Sequence, residues 1–523
     1  MNITDLFDKH SHDLAICAHD TNLSHAQLFA EVTRIAGKLQ GAGMQRVGLY
    51  ADNSAAWICI DLACMLANII LVPIPLFFSS EQITHLLDTA DLDVIFTDRT
   101  LPRDISLRAI EQTKIEHEFV LGLKGFTVKS TNTKAASLAS NSVTKQKHPM
   151  PNKTAKVTFT SGSTGQPKGV CLSASHQLLV AKSLVSRVGV KQPRHLVALP
   201  LSTLLENIAG VYAPLLARGT LVVPNENQRG FSGSQLSNVQ AFLKCISESQ
   251  ANTLITVPEL LKVMVAASSQ GWQPPSSFTF IAVGGAKVAR ALVQSSRQLG
   301  LPVYQGYGLS ECASVVSLAG PSDPPDSCGK PLEHVKCALI NNELLVKEHV
   351  FLGYLGEQDS WYSKQVNTGD IVRCQDEQLF IEGRRKLQII NSMGRNISPE
   401  WAESLILANP AVHQACIIGE ARPYCIAIIS LHGNAMSLAE LAQYLIGINR
   451  QLPDYAKVRK VILLGTPMSL QQNLITANGR IKRDAATTYF SQQIDLAYQS
   501  VGADSVYPDL KYLVEQEFIH DTI

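Results

Sequence analysis

The stretch Thr158-Phe-Thr-Ser-Gly-Ser-Thr-Gly-Gln-Pro-Lys-Gly-Val170 decides how the rest of the chain is read. Ahead of it, Val157 and Phe159 alternate with polar neighbours, the pattern of a strand running to its end. Gly162, Gly165 and Gly169 then open the backbone, so that N–H groups can turn toward a ligand without side-chain obstruction. The hydroxyls of Thr160, Ser161, Ser163 and Thr164 add short donors, and Lys168 adds a positive charge suited to phosphate oxygens. The composition is that of a phosphate cradle, although taken alone it also describes a polar surface turn. It is not a Walker A loop, because the Gly-x-x-x-x-Gly-Lys-Ser/Thr spacing is absent.

Outward from this loop, helical and strand patterns alternate. Ser24 is placed to cap a helix whose apolar positions recur at Leu28, Val32, Ile35, Ala36 and Leu39. Arg46 to Ala51 and Asp93 to Thr97 read as strands, and 122–152 as a long polar connection into the loop. Beyond the loop come a helix from His176 to Arg187 and a strand from His195 to Pro200. A further strand, Phe278 to Val283, runs into Gly284, Gly285 and Ala286 and then a helix to Leu299. Such a strand–glycine–helix junction places backbone donors at the carboxyl edge of a sheet, where α/β proteins bind ligands. After Leu379 the pattern changes, with helices at Pro399 to Ala408 and Leu438 to Asn449. Strands at Val412 to Ile418, Cys425 to Leu431 and Val458 to Leu464 complete this part. The expected fold is α/β, with a large N-terminal domain of layered α/β subdomains (1–385) and a small α+β C-terminal domain (386–523).

At 523 residues the chain is too long for one core. Lys and Arg number 45 against 44 Asp and Glu, so the basic excess of a nucleic-acid binder is missing. The 11 cysteines include no Cys-x-x-Cys pair and read as isolated thiols in a reducing, cytoplasmic setting. The acidic N-terminus lacks the apolar core of a secretory signal. Ala55 to Phe78 is strongly apolar but contains Asp61, Pro73 and Pro75. It reads as a buried helix that the prolines end near Leu71, followed by a strand, and not as a transmembrane segment.

Four segments in order resemble the adenylate-forming superfamily of acyl-CoA synthetases, peptide-synthetase adenylation domains and firefly-type luciferases. They are Thr160 to Gly169, Tyr307-Gly-Leu-Ser-Glu311, Asn367-Thr-Gly-Asp370, and Gly383-Arg-Arg-Lys386 with Gly394-Arg-Asn-Ile-Ser-Pro-Glu400. Pro200-Leu-Ser, Val283-Gly-Gly-Ala286 and Glu343-Leu-Leu-Val346 look most like the medium- to long-chain fatty acyl-CoA synthetase branch. The resemblance implies ATP, Mg2+ and CoA as cosubstrates and cofactor. An acid is first joined to ATP as acyl-AMP with loss of pyrophosphate; the small, mobile domain then rotates and the acyl group passes to a thiol. It further implies that Thr160, Ser161, Gly162, Ser163, Thr164, Gly165 and Lys168 close over the β- and γ-phosphates. Glu311 would lie beside magnesium, and Tyr307 would stack on adenine against Gly284, Gly285 and Ala286, with Gly308 and Ser310 beside it. Asp370 would hold the ribose hydroxyls, Arg384 would touch the nucleotide, and Lys386 would be the hinge.

Two positions depart from the family pattern. Thr203 stands where many relatives carry a histidine near the acid's carboxylate, so no such role is assigned. Near the C-terminus, Gly479-Arg480-Ile481-Lys482 replaces the usual Gly-Lys, whose lysine contacts the carboxylate and α-phosphate. Arg480 does this work, or Lys482 reaches in from two positions along, or the first half-reaction is weak; the same-side geometry of an extended loop places Lys482 first. The candidate catalytic residues are therefore Lys482, Arg480, Glu311 and Thr160. The apolar segments Leu201 to Tyr212 and Ile255 to Val265 suit an acyl tunnel and equally suit core packing. Three functions fit these residues: a fatty acid–CoA ligase, an acyl-AMP ligase loading an acyl carrier protein's phosphopantetheine, and a non-catalytic nucleotide-binding relative.

Overall fold

The computed structural model describes residues 2–19, 21–101, 109–112, 122–128, 148–160, 167–232, 235–392, 396–433, 435–452, 456–476, 479–499 and 511–514. Ser161, Gly162, Ser163, Thr164 and Gly165 fall outside them, as does Gly394. The expected first helix spans His25–Gly41; Ser24 and Gln27 form a reciprocal capping box, and Leu28, Val32, Ile35, Ala36 and Leu39 are buried on one face. The apolar stretch after it is a helix, Ala55–Ala67, buried nearly all round, and then a strand, Ile70–Pro73. The prolines do not end this helix, as the sequence suggested. Asn68 does, in a left-handed conformation (φ 56), and Pro73 closes the strand beyond. No described helix is long and apolar enough to cross a membrane. The expected connection 122–152 contains a strand, Lys124–Val128, paired antiparallel with Val94–Thr97 on one side and with the edge strand Ala109–Gln112 on the other.

Two eight-stranded sheets build the large part. In one, Leu14–Ala18, Thr220–Val223, Arg194–Leu196, Thr253–Thr256, Phe280–Val283 and Val303–Tyr307 run parallel. In the other, Ile70–Pro73, Arg46–Tyr50 and Val94–Thr97 run parallel, and the strand Thr154–Thr160 pairs with Lys168–Ser173 as a hairpin. A four-stranded antiparallel sheet follows and includes Gln365–Gln375 and Gln378–Arg384. The small part carries its own four-stranded sheet, of Val412–Ile418, Cys425–Leu431, Val458–Leu464 and Lys511–Val514. It packs around a separate core that includes Ile406, Ile417, Ile429 and Leu445. The 11 cysteines are all free.

A buried polar cluster joins the two large sheets. Lys156, on the strand that ends at Thr160, pairs with Asp61 of the helix Ala55–Ala67 at 2.8 Å. Its ammonium also donates to Asn207 and to the Tyr212 hydroxyl. Asn207 and Tyr212 donate in turn to Asp61 Oδ2, each at 2.7 Å. Both come from Leu205–Tyr212, a π-helical segment whose wider turn lets polar side chains point inward together. Burial pulls the Lys156 pKa down, and Asp61 opposes that shift. Removing one member leaves an uncompensated buried charge. Lys156→Met is therefore expected to lower unfolding stability by about 3–5 kcal/mol, with Lys156→Met/Asp61→Leu recovering much of it. Urea denaturation checks this, and a Lys156→Met protein as stable as the wild type contradicts it.

Candidate active site

The carboxyl ends of Thr253–Thr256, Phe280–Val283 and Val303–Tyr307 form one rim of a cavity of about 2240 Å³ that opens toward the small part. Gly284, Gly285 and Ala286 line it, as do Tyr307, Gly308, Ser310 and Thr160. Two of the glycines are required where they stand. Gly285 has φ +82, and a Cβ at Gly308 would lie 1.6 Å from the Ser314 carbonyl oxygen.

Asp370 is 3% exposed, so its carboxylate needs protein partners. The Tyr307 hydroxyl donates to one of its oxygens at 2.5 Å and Arg384 Nε to the other at 2.9 Å. Burial, reinforced by Asp370, pushes the Tyr307 phenol far up, so it remains a donor at neutral pH. Burial opposes the Arg384 charge, but Asp370, Glu400 and Tyr307 outweigh it and raise the pKa. Asp370 also lines the cavity, and a carboxylate has lone pairs beyond these two bonds, the acceptors a vicinal diol needs.

On the phosphate side, Thr160 and Lys168 oppose each other at the open end of their hairpin. Lys168 Nζ lies 2.8 Å from Glu357 and 4.8 Å from the centroid of the Tyr354 ring. The Tyr354 hydroxyl donates to Glu311 Oε1 at 2.8 Å. Tyr354 therefore brings Lys168 and Glu311 together. It and Glu357 escaped the sequence reading because Gly353–Tyr354 joins the sheet through a long-range antiparallel pairing. Among the described residues no three His, Cys, Asp or Glu side chains cluster as a metal cage. The single carboxylate of Glu311 fits a magnesium ion shared with phosphate oxygens.

From the small part, Arg480 Nη2 donates to the Gly285 carbonyl oxygen at 2.6 Å. Burial, followed by the nearby Arg384, lowers its pKa, while Glu400 and Asp370 favour its charge. Lys482 Nζ instead donates to Asn473 Oδ1 at 2.5 Å, within the small part. Lys482 is the extended N-cap residue of the helix Arg483–Tyr489, and its bond to Asn473 holds it away from the rim. Lys386 lies in the short turn Arg385–Leu387 between the two parts. Ser398 Oγ crosses the same junction to the Glu382 carbonyl at 2.8 Å. The Thr203 hydroxyl donates back to the Pro200 carbonyl at 2.7 Å, which occupies its proton locally.

A glycine-walled slot, a buried carboxylate and a cation delivered from the small part are the arrangement of an ATP-dependent acid-activating enzyme, and comparison with known proteins agrees. The AMP-binding enzyme family matches residues 5–355, and the AMP-binding enzyme C-terminal domain matches 386–502. The chain belongs to the AMP-binding enzyme family. A 2-succinylbenzoate–CoA ligase of Staphylococcus aureus (strain JH9) is 25% identical over 475 residues, covering 86% of this chain and 92% of the relative. The fold is similar to that of the o-succinylbenzoate CoA synthetase of Bacillus subtilis in complex with its acyl-adenylate. That match has a TM-score of 0.69 and 22% identity, covering 90% of this chain and 94% of the other. An anthranilate CoA ligase in complex with anthranoyl-AMP superposes with a TM-score of 0.75 at 18% identity, covering 94% and 97%. These relatives correct the expected placement in the long-chain fatty acyl branch. Pro200-Leu-Ser and Glu343-Leu-Leu-Val346 lie in a turn and in a scaffold strand, so their wording reports the common framework rather than the acid.

Asp370→Asn keeps the shape of the side chain and removes its charge. AMP affinity is expected to fall about 10- to 100-fold, the usual worth of a hydrogen bond to a charged group. Titration calorimetry with AMP measures it, and an unchanged Kd places the diol elsewhere.

Proposed function

We propose that the protein is an AMP-forming acid–thiol ligase. A carboxylate attacks the α-phosphorus of ATP and pyrophosphate leaves; the thiol of CoA then attacks the acyl carbonyl and AMP leaves. The observation that carries this reading is the reach of Arg480 to the Gly285 carbonyl, beside Asp370 and Arg384. A cation carried from the second domain to that rim suits negative charge developing there. Arg480 is assigned to the α-phosphate and the attacking carboxylate, where its planar fork offers two donors at once. Asp370 and Tyr307 orient the ribose and adenine, and Lys168 meets the leaving pyrophosphate. Thr160 and its following glycines close over the same phosphates, and Glu311 positions magnesium, which neutralises phosphate charge when bound. The turn at Lys386 is assigned as the hinge about which the small domain moves for the thiol step.

The acid has an apolar body, because the cavity beyond the glycines is lined by Val185, Leu205, Ala209, Ile255 and Phe280. Aromatic acids, including the 2-succinylbenzoate of the relatives named above, and straight-chain acids of graded length form the test panel. Pyrophosphate release is expected with a subset of these acids, and acyl-CoA with the same subset when CoA is added. A flat response across the panel rejects the ligase reading. Arg480→Ala is expected to slow acid-dependent ATP–pyrophosphate exchange on the order of 10²-fold, the effect of losing one donor to developing oxyanion charge. Lys482→Ala should stay near wild type. The reverse ranking would assign the loop cation to Lys482.

A further inference from the structure

The acid half of the cavity differs from its nucleotide half in one property, its charge. Lys287, Arg290, Arg373, Arg384, Arg480 and Arg483 all line the cavity. Each is committed on the nucleotide side or in the cleft. Lys287 donates to the Glu382 carbonyl, Arg290 faces Asp326 and Arg373 faces Glu382. Arg384 is paired with Asp370, Arg480 with the Gly285 carbonyl and Arg483 with Glu403. Past the glycines, between the helix Ala174–Val188, the π-helical segment and the sheet, the described lining is apolar except for a few uncharged polar groups and one ionisable side chain, His195.

His195 is not free to serve as a cation there. Its Nδ1 lies 3.0 Å from Thr253 Oγ1 and its Nε2 lies 3.2 Å from Glu206 Oε1, and both the histidine and the glutamate are buried. Both ring nitrogens are thus engaged, and the group beside Nε2 is itself a carboxylate. The pair's geometry is fixed from behind: a Cβ at Gly210 would fall 2.8 Å from Glu206 Oε1 and 2.8 Å from His195 Nε2. A second carboxylate entering this chamber would lose its water and meet no unmatched positive charge.

We propose that the acid is a monocarboxylate with an uncharged body, and that Glu206 is the positioning residue that keeps His195 from accepting a second carboxylate. The inference rests on reading this cavity as the acid site. It separates the chain from relatives that act on 2-succinylbenzoate, which carries two carboxylates.

Two matched acid pairs test it, each differing by one carboxylate: decanoate against decanedioate, and 4-oxo-4-phenylbutanoate against 2-succinylbenzoate. Binding to the full chain in the presence of AMP is measured by calorimetry, and ATP–pyrophosphate exchange is measured in parallel. Within at least one pair the monocarboxylate is expected to bind on the order of 10²-fold tighter than its dicarboxylate. In Glu206→Gln, the carboxylate that occupies His195 Nε2 and repels a second carboxylate is gone, and the preference should narrow about tenfold. A merely structural role for Glu206 would weaken both members of a pair equally and leave the ratio unchanged, which overturns the positioning assignment. Equal or tighter binding of the dicarboxylates, or no binding of either monocarboxylate, overturns the substrate assignment. Selective binding without exchange supports the inference and rejects the ligase reading instead.

Discussion

The ion pair between Lys156 and Asp61 is the contact on which the arrangement of the large part depends. Lys156 sits on the strand that delivers Thr160 to the phosphate side, and Asp61 on the helix packed beneath that sheet. Asn207 and Tyr212 complete the cluster from the segment that walls the acid chamber. Two charges taken out of water are tolerated only with their remaining donors and acceptors matched, so the three elements have one mutual placement. The distance between the phosphate-side strand and the acid wall follows from that requirement.

Charge elsewhere is distributed by the same rule. The nucleotide half collects Asp370, Arg384, Glu400 and Arg480 within mutual electrostatic reach, so each favours the ionised form of its opposite against burial. For Glu400 burial still prevails and its pKa is raised, with Arg384 opposing. The proposed acid half keeps the mutually engaged His195–Glu206 pair and apolar walls. A carboxylate nucleophile approaching from the apolar half meets its first cations at the glycine rim, where the proposed chemistry needs them.

Much of the fold was legible in the sequence, for local reasons. The helix His25–Gly41 and the strands Arg46–Tyr50 and Val458–Leu464 follow from periodicity and caps that lie within each segment. The residues proposed for the nucleotide were picked out from short segments, and Gly284, Tyr307 and Asp370 line one cavity. Legibility stopped wherever distant segments decide. Asn68 rather than Pro73 ends the second helix, through a left-handed cap that local propensity assigns only weakly. Tyr354 reaches Glu311 only after a long-range strand pairing, and the His195–Glu206 pair forms only because a π-helical turn faces a parallel strand. Substrate wording misled for a related reason. Pro200-Leu-Ser and Glu343-Leu-Leu-Val346 describe scaffold, whereas the acid chamber is assembled from helix and strand faces with no compact signature.

By itself, then, the sequence determined the α/β class, a small second domain after the hairpin ending at Arg384, and a set of candidate residues that line one cavity. Each of these is written in spacing along one segment, where neighbouring residues constrain one another directly. The tertiary structure decided which of two cations two positions apart reaches the glycine rim, because Arg480 bonds across to the Gly285 carbonyl whereas Asn473 holds Lys482 within the small part. It also decided that both ring nitrogens of His195 are engaged, because their partners Thr253 and Glu206 lie on other elements. Spacing can specify a segment; a buried charge balance exists only once the segments meet.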